Sequence, residues 1–528
     1  MADVPTHVTP PKPEERMEAL LAGKDAALRV AETPVSDLYF LIKDLGLEEA
    51  TELIALATPE QVQGFLDLDA WNVDKLDDAA VRPWIDGLIA AGYEKLVDVW
   101  RQLDPDLTAL VLQRWVRVYD IVESELPDWE EPPFIATPDR FFMLKVTSED
   151  EDIQRTVDLL IDRLYRGDAE LARHTIRSAS SEPATELEEM SYRWRSGRLA
   201  DLGYASLDEA LEVYRPIDVA SVKIAEGSGT TPSEPMTLPA IFTEPARRGF
   251  LGRAIAQLEP DEVALLETAL AVLLNRVLAA NRVSPSDSVA ATAAAAAGSA
   301  ALSLGLETVS RGDVTRAAET LRSVPLVRLH RVGHTVTLQV AKLARVLAPR
   351  AGRAEEPWAS LLVGLLRQRP QLARALDTPP DVGSRPFASV ADVRAATDAL
   401  AILAAQVTVV RDALGVDPRP LGPAVTLGDV GRTAMVRALL EGQARFANLS
   451  SEEVRRFAAS LEEGRLPTAA RDSAEDAFRR LLEDKKIDPP QEFAAVLSGW
   501  IGDLQRELGT LATDQPPDRR FVGGLVTE

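Results

Sequence analysis

Residues 58–92 read TPEQVQGFLDLDAWNVDKLDDAAVRPWIDGLIAAG, and this stretch decides the fold. Thr58-Pro59-Glu60-Gln61 has the form of a capping box. A hydroxyl accepts the amide three residues on, a glutamine reaches back, and proline stands where its missing N–H is harmless. It predicts a helix carrying Val62, Phe65 and Leu66. Val81, Trp84, Ile85, Leu88 and Ile89 then recur at helical spacing, stopped by Gly92. The same grammar extends in both directions. Ser36 caps a stripe of Leu38, Leu41, Ile42 and Leu45 that ends at Gly46. Leu96, Trp100 and Leu103 form the next stripe, and Asp104-Pro105 opens a helix expected to run through Val118. Helices this short are unstable alone and must bury their stripes on neighbours. The expected fold class is all-α, a solenoid-like stack of short antiparallel helices followed by a larger helical C-terminal domain. No strict sequence period marks a named repeat.

Residues 1–34 are proline-rich and read as a tail with one short helix around Glu15–Val30. Residues 35–225 form the acidic helical domain. Prolines 127, 132, 133 and 138 forbid a helix there, and Phe141–Val146 leaves room for one short strand or hairpin near 140–147. Residues 226–239, EGSGTTPSEPMTLP, read as a linker. Residues 240–513 form an alanine-rich helical domain, with helices opened by Glu259-Pro260, Asp313 and a Ser450–Glu453 capping box. Residues 514–528 read as a loose tail.

With 528 residues, more than one core is expected. The absence of cysteine excludes disulfides and thiolate metal sites and fits a reducing cytoplasm. The net charge of −25 is concentrated in residues 1–250, which hold 49 acidic against 25 basic side chains. Such a field repels nucleic acid and anionic lipid and attracts basic partners. Thr320–Ala354 is the opposite, with seven cations and no carboxylate. That stretch suits contact with the acidic half, with another subunit, or simply helices whose arginines reach solvent from a packed face. Ser288–Leu306 is uncharged and nearly long enough to span a membrane, but its Ala, Gly, Ser and Thr content predicts a buried, close-packed helix.

No phosphate-binding glycine loop is present. His330 and His334 have helical metal-ligand spacing, yet Arg-Val-Gly lies between them without the glutamate a zinc hydrolase needs, and cations surround them. They read as a structural pair. Asp67, Asp69, Asn72, Asp74, Asp77 and Asp78 crowd together but miss the calcium-loop pattern. They read as helix caps and a solvated turn, so neither a metal nor another cofactor is expected. The strongest cluster is Tyr192, Arg193, Trp194, Arg195, Arg198 and Asp201. On a helix, Arg195 and Arg198 are neighbours able to converge on one phosphate or carboxylate, with Tyr192 and Trp194 as stacking faces. A local ion-pair network, Glu189 with Arg193 and Arg198 with Asp201, explains the same residues.

Tyr192–Arg195, Gly197–Gly203, Glu209–Glu212 and Tyr214-Arg215 resemble an uncharacterised bacterial family, domain of unknown function 6178. Phe65–Asp69 with Trp71, and Arg331–Gly333, support the match. The resemblance implies a helical protein and brings no activity, cofactor or catalytic residue. The capped helices of residues 48–118 also look distantly similar to the superhelical domain of bacterial magnesium transporters. The expected function is therefore a non-catalytic cytoplasmic scaffold or adaptor that binds protein partners. The alternatives are an enzyme or sensor of a small anionic ligand at the arginine cluster and, more weakly, divalent-cation sensing by the acidic domain.

Overall fold

The computed structural model describes residues 12–72, 74–122, 133–201, 204–222, 244–283, 287–509 and 523–528. The expected linker at 226–239 lies outside them, as do residues 1–11 and 514–522 of the two expected tails. Among the described residues there are 23 α-helices and only short strands. The protein is all-α, as the punctuation of the sequence implied. Two compact units emerge: Met1–Arg215 with Lys223–Ser299 and Val314–Arg328, and Pro216–Val222 with Ala300–Asp313 and Leu329–Glu528.

The first unit opens with α1 (Pro13–Leu21) and α2 (Ala26–Glu32), where one helix was expected. Gly23, at φ 76°, turns the chain between them. Then follow α3 (Val35–Leu45), α4 (Thr51–Leu56), α5 (Pro59–Asp69), α6 (Asp78–Ala90), α7 (Tyr93–Gln102) and α8 (Pro105–Trp115). Alternate helices pack on one another: α3 on α5, α5 on α7, α4 on α6. The capping box at α5 is made, Thr58 Oγ1 accepting from Gln61 N at 3.2 Å and Gln61 Oε1 accepting from Thr58 N at 2.8 Å. Gln61 Nε2 also donates to the carbonyls of Val30 and Thr33, both at 2.8 Å, so one cap residue fastens the end of α2.

Two expectations are corrected here. The helix opened by Asp104-Pro105 stops at Trp115, and Val116–Asp120 is a strand, β3. β1 (Trp71–Asn72) and β2 (Lys75–Leu76) form a small hairpin before it. After it, β4 (Ile135–Ala136) and β5 (Phe142–Val146) complete a three-stranded antiparallel sheet in the order β3-β5-β4. Val-Arg-Val-Tyr alternates branched and polar residues, a strand pattern once Val116 pairs with Val146 and Asp120 with Phe142. Strand content therefore exceeds the single strand or hairpin expected near 140–147. The second correction concerns the acidic turn. Asp67 and Asp69 are buried rather than solvated. Asp69 accepts from Tyr39 Oη at 3.1 Å, Trp84 Nε1 at 2.8 Å and Lys43 Nζ at 3.0 Å, beneath an aromatic cluster of Tyr39, Phe65 and Trp84. Asp77 does cap α6, accepting from Ala79 N at 3.0 Å.

The helices α9 (Glu151–Gly167), α10 (Ala169–Ser181), α11 (Ala184–Asp201) and α12 (Leu207–Leu211) continue this unit. It also takes α13 (Gly249–Ile255), α14 (Pro260–Ala280) and α16 (Val314–Ser323). The division between units passes through α15 (Ser288–Ser310) and α17 (Leu326–Ala351). Within the second unit those two helices cross at glycines. A Cβ on Gly305 would stand 1.8 Å from the Leu329 carbonyl, and one on Gly333 1.9 Å from the Ala301 carbonyl. The close-packed reading of Ser288–Leu306 thus has a physical basis. Pro260–Ala280, Val289–Ser310 and Val390–Ala413 are each long and apolar enough to cross a membrane, and half of an apolar 18-residue window in each is buried inside the protein.

The rest of the second unit comprises α18 (Trp358–Leu365), α19 (Val390–Val407), α20 (Leu427–Glu441), α21 (Ser451–Ala459), α22 (Thr468–Asp484) and α23 (Phe493–Leu508), with the short hairpin β6 (Leu372–Ala373) and β7 (Ser384–Arg385). Arg432 on α20 is buried among Glu355, Asp429 and Asp503. Its Nε donates to the Gly524 carbonyl at 2.9 Å. Val526 N donates to Thr433 Oγ1 at 2.9 Å and Leu449 N to the Val526 carbonyl at 2.9 Å. Residues 523–528 are thereby held against α20.

Candidate functional site

The cluster that the sequence singled out lies on α11. This helix buries only Leu187 and Ser191, too little apolar surface to hold eighteen residues by burial alone. Polar anchors supply the difference. Arg198 reaches across to α5, where Nε donates to Asp67 Oδ2 at 2.6 Å and Nη2 to Asp67 Oδ1 at 3.0 Å. Its Nη1 donates to Asp104 Oδ2, at the start of α8, at 3.0 Å. All three guanidinium nitrogens are thus engaged by the protein itself. Arg195 Nε donates to the Asp67 main-chain carbonyl at 2.7 Å. Its guanidinium carbon lies 5.5 Å from the centre of the Trp71 ring and 5.9 Å from that of Tyr192.

The expected convergence of Arg195 and Arg198 therefore occurs, but its focus is Asp67. The local pairing of Arg198 with Asp201 gives way to distant partners. The reason is desolvation: a carboxylate as buried as Asp67 needs a counter-charge far more than the exposed Asp201 does. Burial pushes the Asp67 carboxyl above its usual range, although Arg198, Gln63 and Arg195 pull it down. Burial works against Arg198 too, yet its bonds to Asp67 and Asp104 hold it above its ordinary value. With both carboxylate oxygens facing a guanidinium that does not release its proton, the pair is ionic. Arg195 is pulled down by burial, against the influence of Asp67 and Tyr192.

Of the remaining cluster residues, Arg193 and Asp201 are exposed, and Trp194 is 55% exposed. Trp194, Arg198 and Asp201 follow one another along one face of α11. That face borders a cleft of about 820 Å³ whose other walls come from the start of α3, from α5, and from the end of α7 and the start of α8. Val35, Pro59, Leu103 and Pro105 give it an apolar lining, and Glu60 and Asp106 bring further carboxylates. Gly64 lets α5 approach α3, since a Cβ there would stand 2.4 Å from Val35 Cγ1. The cleft has a marked charge imbalance. Glu60, Asp67, Asp104, Asp106 and Asp201 line it, against Arg198 as its cation among the lining residues. Burial and the neighbouring Asp104 both push Asp106 up.

Sequence reasoning missed Glu60, Gln63, Asp104 and Asp106 as neighbours of the cluster. Thr58-Pro59 and Asp104-Pro105 were visible as helix starts, but nothing local announces that α11 crosses both.

A family model described as a family of unknown function, DUF6178, matches residues 1–528. The chain belongs to the DUF6178 family. No curated protein and no solved structure matches it. Of the α11 residues that carried the resemblance, Arg195 and Arg198 fasten this helix to α5, and Trp194, Arg198 and Asp201 border the cleft.

The other candidates of the DUF6178 chain are placed as follows. His330 and His334 are both buried on α17, and burial with Arg369 pushes His334 down to about 4. Among the described residues no group of three or more His, Asp or Glu side chains is arranged to hold a metal ion. The basic stretch 320–354 is partly paired within the units: Arg322 with Glu262, Arg350 with Asp412, and Arg353 with the Pro423 carbonyl.

Proposed function

We propose that this DUF6178 chain is a non-catalytic cytoplasmic scaffold whose first unit, a helical-repeat-like stack, binds protein partners. The observation that supports this reading is the cleft between α5, α8 and α11. It is open, and its floor is made of side chains whose charges are satisfied internally by Arg198 with Asp67 and Asp104. A catalytic site presents a nucleophile, a base or an electrophile to solvent in reach of one another. Here the strongest charges are locked together, and what faces outward is an indole, apolar side chains and scattered carboxylates. Such a surface is suited to recognition. The same geometry disfavours the anionic-ligand reading, since Glu60, Asp106 and Asp201 line the cleft with Arg198, whose guanidinium nitrogens are already engaged by Asp67 and Asp104.

Affinity capture from extract of the source cells tests the reading, with wild-type chain and a Glu60→Gln/Asp106→Asn/Asp201→Asn variant side by side. Any retained protein is then purified and recombined with the chain. A partner that binds directly and is lost with the variant supports the proposal. Turnover of a metabolite by the purified chain, abolished by one substitution that leaves it folded, removes it.

A further inference from the structure

The chemistry of the cleft also specifies what part of a partner it suits. We propose that the cleft receives a cationic side chain, an arginine or lysine carried on an exposed segment of a partner protein. Asp106 and Asp201 would act as counter-charges and the Trp194 indole as the stacking face. This rests on the scaffold reading above and narrows it.

Three features of the cleft carry the inference. First, its charge is unbalanced in one direction. Arg198 is consumed by Asp67 and Asp104, while no ion pair joins Glu60, Asp106 or Asp201 to a cation among the described residues. A cation arriving there gains attraction from several carboxylates in a partly dehydrated recess. Asp106, whose charge is disfavoured by burial and by Asp104, gains most from an added positive neighbour. Second, Trp194 leaves more than half of its surface to solvent at the edge of this recess. An indole face attracts guanidinium and ammonium groups, and is the best of the aromatic faces for it. The protein already uses this pairing nearby, with Arg195 over Trp71. Third, the volume of about 820 Å³ and the apolar walls at Val35, Leu103 and Pro105 accommodate a long aliphatic stem together with its neighbours on a peptide. A bare metal ion has no use for such walls, and no three of the carboxylates are arranged as a metal site.

The test uses full-length protein and two labelled pentapeptides, Gly-Leu-Arg-Leu-Gly and its citrulline counterpart, which keeps the shape and removes the charge. Fluorescence anisotropy at low salt reads binding, and spermine is titrated in parallel. The arginine peptide is expected to bind about tenfold more tightly than the citrulline peptide. Asp106→Asn/Asp201→Asn is expected to erase that preference, and Trp194→Phe to weaken it. Asp158→Asn/Glu18→Gln, which removes two exposed charges elsewhere, is expected to leave it unchanged. Equal affinity for both peptides, no binding at millimolar peptide, or insensitivity to the cleft variants overturns the proposal. So does binding of spermine without discrimination between the peptides, which makes the occupant a free polyamine. If the peptides fail while the affinity capture still yields a direct partner that the cleft variant retains, the scaffold stands on another surface and only this inference falls.

Discussion

Replacing Arg198 by methionine separates an internal strut from a ligand-binding group. Methionine keeps much of the stem and removes the charge. Asp67, 1% exposed in its side chain, would then keep only Gln63 Nε2, at 3.1 Å, among its side-chain donors. Stranding a buried carboxylate costs about 3–5 kcal/mol, and the 30% residual exposure of Arg198 places the loss near the lower end. Asp67→Asn is milder, roughly 1–3 kcal/mol, because the amide oxygen still accepts and Arg198 keeps Asp104. In the double variant no charge is stranded at Asp67, so the losses fall short of additivity by about 2 kcal/mol. Urea denaturation with tryptophan fluorescence measures the four proteins. Hydrogen exchange on α5 and α11 assigns the loss to the first unit, as the protein need not unfold in one step. A loss below about 1 kcal/mol for Arg198→Met, or strict additivity in the cycle, would refute the internal-strut account and return Arg198 to the role of a free anion receptor.

Three further outcomes concern His334, a pair of helix glycines and the C-terminal residues. His334 is held neutral, its folded value lying near 4 against 6.5 when unfolded. The unfolded chain alone takes up a proton between these values, so stability present above pH 6.5 is lost as pH falls to about 4, by roughly 3 kcal/mol. His334→Leu flattens that part of a stability–pH profile measured by denaturant titration. Gly333→Ala drives a methyl into the Ala301 carbonyl and costs about 1–3 kcal/mol. Gly197→Ala on α11, with open space at its Cβ, is neutral or stabilising by up to about 1 kcal/mol, and in thermal melting only Gly333→Ala of the pair lowers Tm. Removing residues 523–528 takes away the acceptor at Val526, and the Leu449 amide loses its hydrogen-exchange protection while the Arg432–Asp503 bridge persists.

What was legible in the sequence was local. Thr58 and Gln61, Ser450 and Glu453, and Glu259-Pro260 announce helix starts because cap and capped amide lie within three residues. Val116–Asp120 was not legible as a strand because no breaker separates it from α8. Its extended form depends on pairing with Phe142–Val146, more than twenty residues on. The site shows the same divide. That Arg195 and Arg198 share a helix face was plain from their spacing. That their common acceptor is Asp67 was not, since 131 residues separate Arg198 from Asp67 and 94 separate it from Asp104. Asp67 and Asp69 read as solvated for a related reason: burial belongs to the packing of α3, α5 and α6, whereas sequence shows only charge.

The way α11 is held bears directly on how the cleft works. With only two buried side chains among eighteen residues, α11 depends on electrostatic anchors: Arg198 to Asp67 and Asp104, Arg195 to the Asp67 carbonyl, and Glu188 beside Arg114 of α8 at 3.8 Å. The wall bearing Trp194 and Asp201 is therefore only as well placed as the Arg198 clamp makes it. Arg198→Met should then abolish the preference for the arginine peptide while raising hydrogen exchange along α11. Asp106→Asn/Asp201→Asn, which leaves the carboxylates of Asp67 and Asp104 and the Asp106 amide bond to Asp104 in place, should abolish the preference and leave exchange unchanged. If Arg198→Met loosened α11 yet preserved the peptide preference, recognition would not depend on that wall, and Trp194 would have to be discarded as the stacking face.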